Sequence, residues 1–227
     1  MTKSAMTVRV GALVALAVLA AASGSALAAG PVGQSIRFDF EGDKVGGLPP
    51  GFSVAQTGKG QPPRWAVTED PSSPAGPKVL TQSSADATGD RFPLCIENAL
   101  TTANVRLSVR FKPVSGTVDQ GAGLVARFRD SGNYYVVRAN ALEGNVNLYK
   151  VVAGLRSEIT GKPAELRTGD WRTLGLTVEG DRLQVSLDGQ PLFEARDPTF
   201  KAAGKVGLWT KADSVIAFDD FQAQALP

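Results

Sequence analysis

The sequence predicts an all-β protein, a two-sheet antiparallel β-sandwich of the jelly-roll type. Short runs of alternating apolar and polar residues recur from Ile36 to Phe221. Clusters of Gly, Pro, Asn and Asp separate these runs at short intervals, and no segment has the 3.6-residue period of an amphipathic helix. A strand with one apolar face must bury it, so two sheets packed face to face are expected.

The N-terminal residues have the pattern of a secretory signal peptide. Lys3 and Arg9 precede an apolar run over residues 10–22, and Ala26-Leu27-Ala28 has the form of a cleavage site. The run is shorter than the roughly 20 residues that a bilayer requires. We therefore expect cleavage after residue 28, a single jelly-roll domain over residues 29–227 and a secreted or periplasmic location. Retention of residues 1–28 as a membrane anchor is the alternative.

Composition excludes several classes of function. The first 28 residues contain two basic residues and no acidic ones, so the remaining chain has equal numbers of both. No dense basic run is present, and we expect no nucleic-acid partner and no membrane span after cleavage. The chain has no histidine, which excludes histidine-dependent triads and the usual zinc sites. The single cysteine, Cys95, lies in an apolar run and is predicted to be a buried thiol. The oligomeric state is not predicted.

The N-terminal half contains six predicted strands. In residues 36–41 the apolar Ile36, Phe38 and Phe40 alternate with charged residues, which indicates the first strand. Residues 42–51 carry four glycines and two prolines and are predicted to be a loop. The next predicted strands are Phe52–Ala55, Trp65–Thr68, Lys78–Thr81, Arg91–Glu97 and Asn104–Pro113.

The C-terminal half contains nine more runs. Four are joined by short polar turns: Gly121–Arg129, Asn133–Asn140, Asn145–Val152 and Arg156–Thr160. Residues 171–221 contain five further runs, of which the first two have a clean apolar face, for example at Leu174, Leu176 and Val178. Of these fifteen runs we expect about thirteen or fourteen to form strands, and we expect no helix beyond a turn near Pro198–Lys201.

Several segments resemble the concanavalin A-like lectin/glucanase superfamily. They are Asn133-Tyr134-Tyr135, Arg138-Ala139-Asn140, Leu148-Tyr149-Lys150 and Gly207-Leu208-Trp209. More narrowly, residues 36–222 resemble the 3-keto-disaccharide hydrolase-like (family 16 glycoside hydrolase-like) domain of exported bacterial proteins. The resemblance implies a curved jelly roll whose concave face can hold a glycan, with hydrolase activity in some members. The Glu-x-Asp-x-x-Glu motif of true family 16 glucanases does not occur in this chain.

Polar and aromatic side chains on neighbouring predicted strands indicate a carbohydrate-binding surface. Adjacent strands lie about 4.8 Å apart, so side chains on one face form a continuous field. Arginine and asparagine present forked donors to sugar hydroxyls, and an aromatic ring can stack on a pyranose. The predicted ligand-binding residues are Arg127, Arg138, Asn140, Asn147, Tyr149 and Trp209. Lys150, Arg156 and Lys211 are expected at the rim, where they would favour an acidic or oxidised sugar.

Acidic residues near the two ends of the domain suggest a possible calcium site. If the first and last strands are neighbours, Glu41, Asp220 and a carbonyl near Gly42 could supply oxygen ligands of the type that calcium prefers. No other cofactor is predicted. Asp39 and Glu41 also have the spacing of a hydrolytic carboxylate pair, but no catalytic residue is assigned.

Three functions remain open from the sequence. The first is an exported domain that binds a glycan on its concave sheet. The alternative is a glycoside hydrolase, or a polysaccharide lyase with Tyr149 as base beside Arg127, Arg138 and Asn140, acting at the same face. The second alternative is a structural or interaction module of the cell envelope.

Overall fold

A computed structural model describes residues 1–2 and 33–227, so the predicted signal peptide falls largely outside the described residues. The described chain contains strands and turns but no helix, and therefore no helix that could cross a membrane. The fifteen strands within it are β1 Ser35–Phe38, β2 Phe52–Thr57, β3 Trp65–Glu69, β4 Lys78–Gln82, β5 Phe92–Thr102, β6 Val105–Ser115, β7 Gly121–Asp130, β8 Asn133–Asn140, β9 Asn145–Val152, β10 Leu155–Pro163, β11 Arg172–Glu179, β12 Arg182–Leu187, β13 Gln190–Arg196, β14 Gly204–Thr210 and β15 Val215–Ala225.

The strands form two antiparallel sheets, as the sequence predicts. Sheet A has the order β13-β12-β11-β6-β15-β4-β3, with β1 paired to β15. Sheet B has the order β10-β9-β8-β7-β14-β5-β2. The pairing of β1 with β15 confirms that the first and last strands are neighbours. The many non-consecutive neighbours are those of a jelly roll, and the predicted fold class is confirmed.

The main core lies between the two sheets. On β11 and β12 the buried residues alternate with partly exposed ones, and Leu174, Leu176 and Leu183 point inwards as predicted. From sheet B, alternate residues such as Val137 and Leu148 face them. The alternation arises because successive side chains of a strand point to opposite faces.

Sheet B is buried on its other face as well, so β7 and β8 are buried along almost their whole length. This second cluster consists of Phe92, Leu94, Ile96, Val125, Tyr134, Val136, Tyr149, Val151 and Trp209. Strands buried on both faces have continuous apolar runs rather than alternation. This explains why the segment over residues 121–126 contains no polar side chain.

The second face of sheet B is concave. Arg156 starts from β10, yet its guanidinium carbon lies 4.8 Å from the ring centre of Phe92 on β5. Five strand spacings separate β10 from β5 in the sheet order, which is about 24 Å in a flat sheet and beyond the reach of two side chains. The sheet must therefore curve towards this face, which we call the concave face.

Some strand boundaries differ from those predicted from the sequence. The first strand ends at Phe38 instead of continuing to Glu41, because Phe40 has a φ of 58°, a left-handed conformation that interrupts an extended strand. Pro93 lies in β5 with a partner strand on each side, although proline within a sheet is usually confined to edge strands and bulges. It pairs with Gln56 of β2, while the pairing of β5 with β14 ends at Leu94. The proline thus lies just outside the region in which β5 pairs with β14. Its lack of an N–H group therefore removes no hydrogen bond between these two strands.

Candidate functional site

A row of residues crosses the concave face at one register. Trp209 of β14 is paired with Gly123 of β7, which is paired with Arg138 of β8, which in turn is paired with Asn147 of β9. Because paired residues point to the same face, the side chains of Trp209, Arg138 and Asn147 share the concave face. Tyr149 is two residues further along β9, on the same face. The structure thus brings together most of the residues that the sequence predicts for ligand binding.

Arg138 is held rigidly at the centre of this row. Its Nη1 and Nη2 donate to the two carboxylate oxygens of Glu143 at 3.0 and 2.7 Å, and Nη2 also donates to Asn145 Oδ1 at 2.6 Å. The side chain of Arg138 is only 1% exposed, and its Nε has no partner among the described residues. Burial would raise the pKa of Glu143, but the hydrogen bond and charge of Arg138 outweigh it and lower that pKa.

Asn140 and Lys211 meet at a second carboxylate, that of Asp119. Asn140 Nδ2 donates to Asp119 Oδ1 at 2.9 Å, and Lys211 Nζ donates to Asp119 Oδ2 at 2.6 Å. Asp119 is 1% exposed, and this burial raises its pKa despite the opposing effect of Lys211. Asn140 Oδ1 also accepts the backbone N–H of Leu142, which fixes the turn that carries Glu143.

Asp213 fixes the loop that carries Asp119. Its carboxylate accepts the backbone N–H groups of residues 117, 118 and 119 at 2.7 to 3.1 Å. Burial opposes ionisation of Asp213, but these hydrogen bonds outweigh it and hold its pKa below the usual value. The polar end of the concave face is therefore fixed on both sides, by the Asp213 contacts and by the turn after β8.

Asn147 and Tyr149 form the more exposed part of the face. Asn147 Nδ2 donates to the Tyr149 hydroxyl at 3.1 Å and to Glu158 Oε2 at 2.9 Å. Asn147 is partly exposed and Glu158 is exposed, so both can reach a ligand from solvent. Burial raises the pKa of Tyr149, which is the opposite of what a tyrosine base requires. This direction of the pKa shift does not favour Tyr149 as the base of the lyase hypothesis.

An aromatic floor lies beside this polar row and is covered by Arg156. The rings of Phe92 and Trp209 stack with centres 5.3 Å apart. The guanidinium carbon of Arg156 lies 4.4, 4.8 and 5.8 Å from the ring centres of Tyr149, Phe92 and Trp209. Trp209 is completely buried and Tyr149 is 6% exposed. Arg156, predicted at the rim, thus lies over the rings that were expected to stack on a sugar.

Arg127 does not join the other predicted ligand-binding residues, and its predicted facing was wrong. It has a φ of 51° at a register shift in β7, a β-bulge that turns its side chain off the concave face. Its guanidinium donates to the backbone carbonyls of Ala103, Phe200 and Gly180. Because the residue is 1% exposed and donates to three backbone carbonyls, it ties three loops together at one end of the sandwich.

Lys150 also lies away from the concave face. Along β9, Leu148 points to the core and Tyr149 to the concave face, so alternation directs Lys150 to the core side. Its Nζ donates to Asp197 Oδ2 at 2.8 Å. Asp197 comes directly after β13 of sheet A. Lys150 therefore connects the two sheets instead of lining the rim of the predicted site.

The acids predicted for calcium have other partners. Glu41 Oε1 accepts the backbone N–H of Lys78 at 2.8 Å, whereas Asp220 accepts from Arg37 at 2.6 Å and has Arg110 at 3.6 Å. Asp39 Oδ1 accepts the N–H of Glu41 at 3.3 Å. Within the described residues, no group of three or more acidic or cysteine side chains is arranged to hold a metal ion. Calcium binding therefore stays a prediction without a ligand cluster to support it.

The sequence reasoning missed five residues of the concave face. Glu143 and Asn145 were interpreted only as part of a turn and the start of a strand, and Asp119 lies in a loop with no recognisable pattern. Glu158 is opposite Tyr149 in the β9–β10 pairing, so its alternation on β10 is the one signal that could have located it. Phe92 reaches the site only because sheet B is curved.

Comparison with solved structures shows which proteins share this fold. A carbohydrate binding module, CBM66 from Bacillus subtilis, has a TM-score of 0.61 and 20% identity, over 77% of this chain and 96% of that one. The Bacillus licheniformis beta-glucanase has a TM-score of 0.54 and 12% identity, over 87% and 100%. The family 43 glycoside hydrolase BlXynB from the same species has a TM-score of 0.55 and 14% identity; the match covers 83% of this chain but 39% of that protein.

These similarities confirm the concanavalin A-like jelly-roll fold. No curated protein sequence matches the chain. A family described as "Galactocerebrosidase, C-terminal lectin domain" matches residues 93–226, which include every residue of the concave face described above except Phe92. Because this match covers more than half of the sequence, the chain belongs to the galactocerebrosidase C-terminal lectin domain family.

Proposed function

We propose that this protein is an exported carbohydrate-binding domain and that its ligand binds on the concave face of sheet B. One observation carries the proposal: planar polar side chains lie beside aromatic rings in a single curved surface. Arg138, Asn147 and Tyr149 share one face at neighbouring registers. Carbohydrates bind through hydrogen bonds to their hydroxyl groups, and the partly exposed Asn147 and the exposed Glu158 offer such bonds on this face. The buried rings of Tyr149 and Trp209 support the surface from below.

The surface is also preorganised. Glu143 and Asn145 fix the fork of Arg138, and Asn140 and Lys211 fix Asp119. A ligand that meets fixed side chains loses less of its binding energy to ordering them. The family match and the fold shared with a carbohydrate binding module support this function.

Asn147 offers the cleanest test of the binding face. The protein spanning residues 29–227 would be applied to a glycan array, and each hit measured by titration calorimetry. We expect Asn147→Ala to weaken binding about tenfold, because an unpaired hydrogen-bonding group on the ligand costs roughly 1–3 kcal/mol. Gln224→Ala, on the exposed outer face of sheet A, is the matched control and should bind as the wild type does. Equal losses from both variants, or no hit on the array, would contradict the proposal.

The export part of the proposal has a separate test. Expression of the full chain in a bacterium should yield a periplasmic or secreted product whose N-terminus is residue 29. Mass spectrometry of the purified product measures this directly. A cytoplasmic product that retains residues 1–28 would contradict export.

A glycoside hydrolase activity is the second candidate. Glycosidases need one carboxylic acid that stays protonated and one carboxylate that is ionised. Asp119 and Glu143 are the two carboxylates beside the polar row; Asp119 accepts from Asn140 and Lys211, and Glu143 accepts from Arg138. Release of reducing sugar that Asp119→Asn abolishes would establish hydrolysis. Binding without turnover would leave the lectin function alone.

A further inference from the structure

We infer that Arg156 is the anchor for a carboxylate group, so that the preferred ligand is an acidic sugar, a uronate, rather than a neutral one. The inference rests on the proposed carbohydrate-binding function and specifies its ligand class. It is carried by the surroundings of Arg156, which differ from those of every other charged side chain on the concave face.

Arg156 is a desolvated cation without a partner. Its Nη1 is buried and makes no hydrogen bond to the described residues. None of the ion pairs within residues 33–227 includes Arg156, and burial lowers its pKa. A buried charge is costly unless it is paired and hydrogen-bonded. The three aromatic rings of the floor compensate part of this cost, since they attract a cation but accept few of its five N–H groups.

The other two cations beside the polar row are paired with acids. Arg138 is paired with Glu143, and Lys211 is paired with Asp119. Glu158, the nearest acid on the same strand, accepts a hydrogen bond from Asn147 and is exposed to water. The positive charge of Arg138 also acts on Arg156 and disfavours its charged form. Among Arg138, Lys211 and Arg156, the three cations around the polar row, Arg156 is therefore the one left for a ligand anion to neutralise.

The geometry favours a carboxylate as that anion. The guanidinium carbon is 4.4 Å from the Tyr149 ring centre, which limits the freedom of the side chain before any ligand arrives. A guanidinium held in this way presents a planar fork, which matches the two oxygens of a carboxylate. Arg156 remains partly exposed, and because Nη1 is the buried nitrogen, a carboxylate would meet the side of the guanidinium formed by Nε and Nη2. Sugar hydroxyls can then contact Asn147 and Glu158, which lie next to it.

Paired ligands test the inference directly. Oligogalacturonides, oligoglucuronides and alginate oligomers would each be titrated beside the same oligomer with its carboxyl groups reduced to alcohols. We expect at least one oligouronide to bind about tenfold to a hundredfold more tightly than its reduced form, the range of a charged hydrogen bond. Arg156→Gln should remove this preference, while Arg156→Lys, which keeps the charge without the fork, should retain part of it. Arg106→Gln, on the exposed outer face of sheet A, is the control and should leave the preference intact.

The outcomes separate the two proposals. Equal binding of acidic and reduced oligomers by the wild type would overturn the role of Arg156 and leave the carbohydrate-binding function standing. Absence of binding to both forms, and to the glycan array, would overturn both proposals. A preference for uronates that persists in a folded Arg156→Gln protein would also overturn the role of Arg156. Thermal unfolding of each variant shows whether it is folded, and the comparison of ligands on the wild type does not depend on any variant.

Discussion

Replacement of Arg127 by methionine should destabilise the protein without affecting the ligand. Three donors of the guanidinium bind the carbonyls of Ala103, Phe200 and Gly180, and the residue is 1% exposed. A hydrogen bond to a charged group contributes about 1.5–3 kcal/mol. The three contributions do not add fully, because methionine packs in the same space and loops can relax. We therefore expect the free energy of unfolding to fall by about 3–5 kcal/mol, since each of the three carbonyls left without its donor costs about 1–3 kcal/mol.

Urea and thermal unfolding measure this change. For a protein of this size each kcal/mol corresponds to about 2–4 °C, so the melting temperature should fall by about 6–20 °C. Arg129→Met is the matched control, since Arg129 lies on the same strand but is exposed, and its effect should stay within about 0.5 kcal/mol. The affinity of folded Arg127→Met for a glycan should equal that of the wild type. A variant that keeps its stability but loses the ligand would refute the assignment of Arg127 as a structural residue.

Three further predictions concern stability and access. The pKa of Asp197 is lowered to about 2, against burial, mainly by its hydrogen bond with Lys150, so it should contribute roughly 2 kcal/mol at neutral pH that is lost as pH falls from about 4 to about 2. Asp197→Asn should remove this part of the pH dependence in urea unfolding. A Cβ at Gly207 would lie 2.4 Å from the carbonyl oxygen of Cys95, so Gly207→Ala should cost about 1–3 kcal/mol, whereas Gly89→Ala, which meets no atom within 4 Å, should change stability by less than about 1 kcal/mol. Cys95 is fully buried and burial raises the pKa of its thiol, so iodoacetamide should label it only after unfolding; rapid labelling of the native protein would contradict this.

The sequence predicts the sandwich well because alternation is a local property. Leu174, Leu176 and Leu183 take the inner face wherever the strand is regular, and the structure confirms them. The same rule fails at Arg127, where one residue in a left-handed conformation changes the facing of the side chains that follow. Simple alternation places Arg127 on the concave face, but in the structure it is Phe128 that packs against the concave cluster.

The candidate site is harder to predict because it depends on curvature and on turns. Arg138, Asn140, Asn147 and Tyr149 were predicted to be close together since they lie on consecutive strands, and the register confirms their proximity. Glu143 lies in the turn between β8 and β9, where residues do not alternate between two faces and the sequence therefore does not indicate where a side chain points. Arg156 reaches its aromatic partners across a curved sheet, and no pattern within a single sequence encodes that distance.

Some residues of the concave face both support the curved sheet and contact the candidate site. The choice of position for a substitution therefore decides whether it tests ligand binding or the stability of the sheet. Phe92 and Trp209 pack in the cluster that fills the concave face, and they also carry Arg156. Truncation of either ring would have two effects: it would open a cavity in this cluster, and it would remove a ring that holds Arg156 in place. A loss of binding in such a variant could therefore not be attributed to a lost contact with the ligand. Asn147 contributes no apolar surface to the cluster and keeps an exposed edge. Binding and stability should therefore separate at Asn147 and change together at Trp209, and this contrast distinguishes a ligand contact from a support of the sheet.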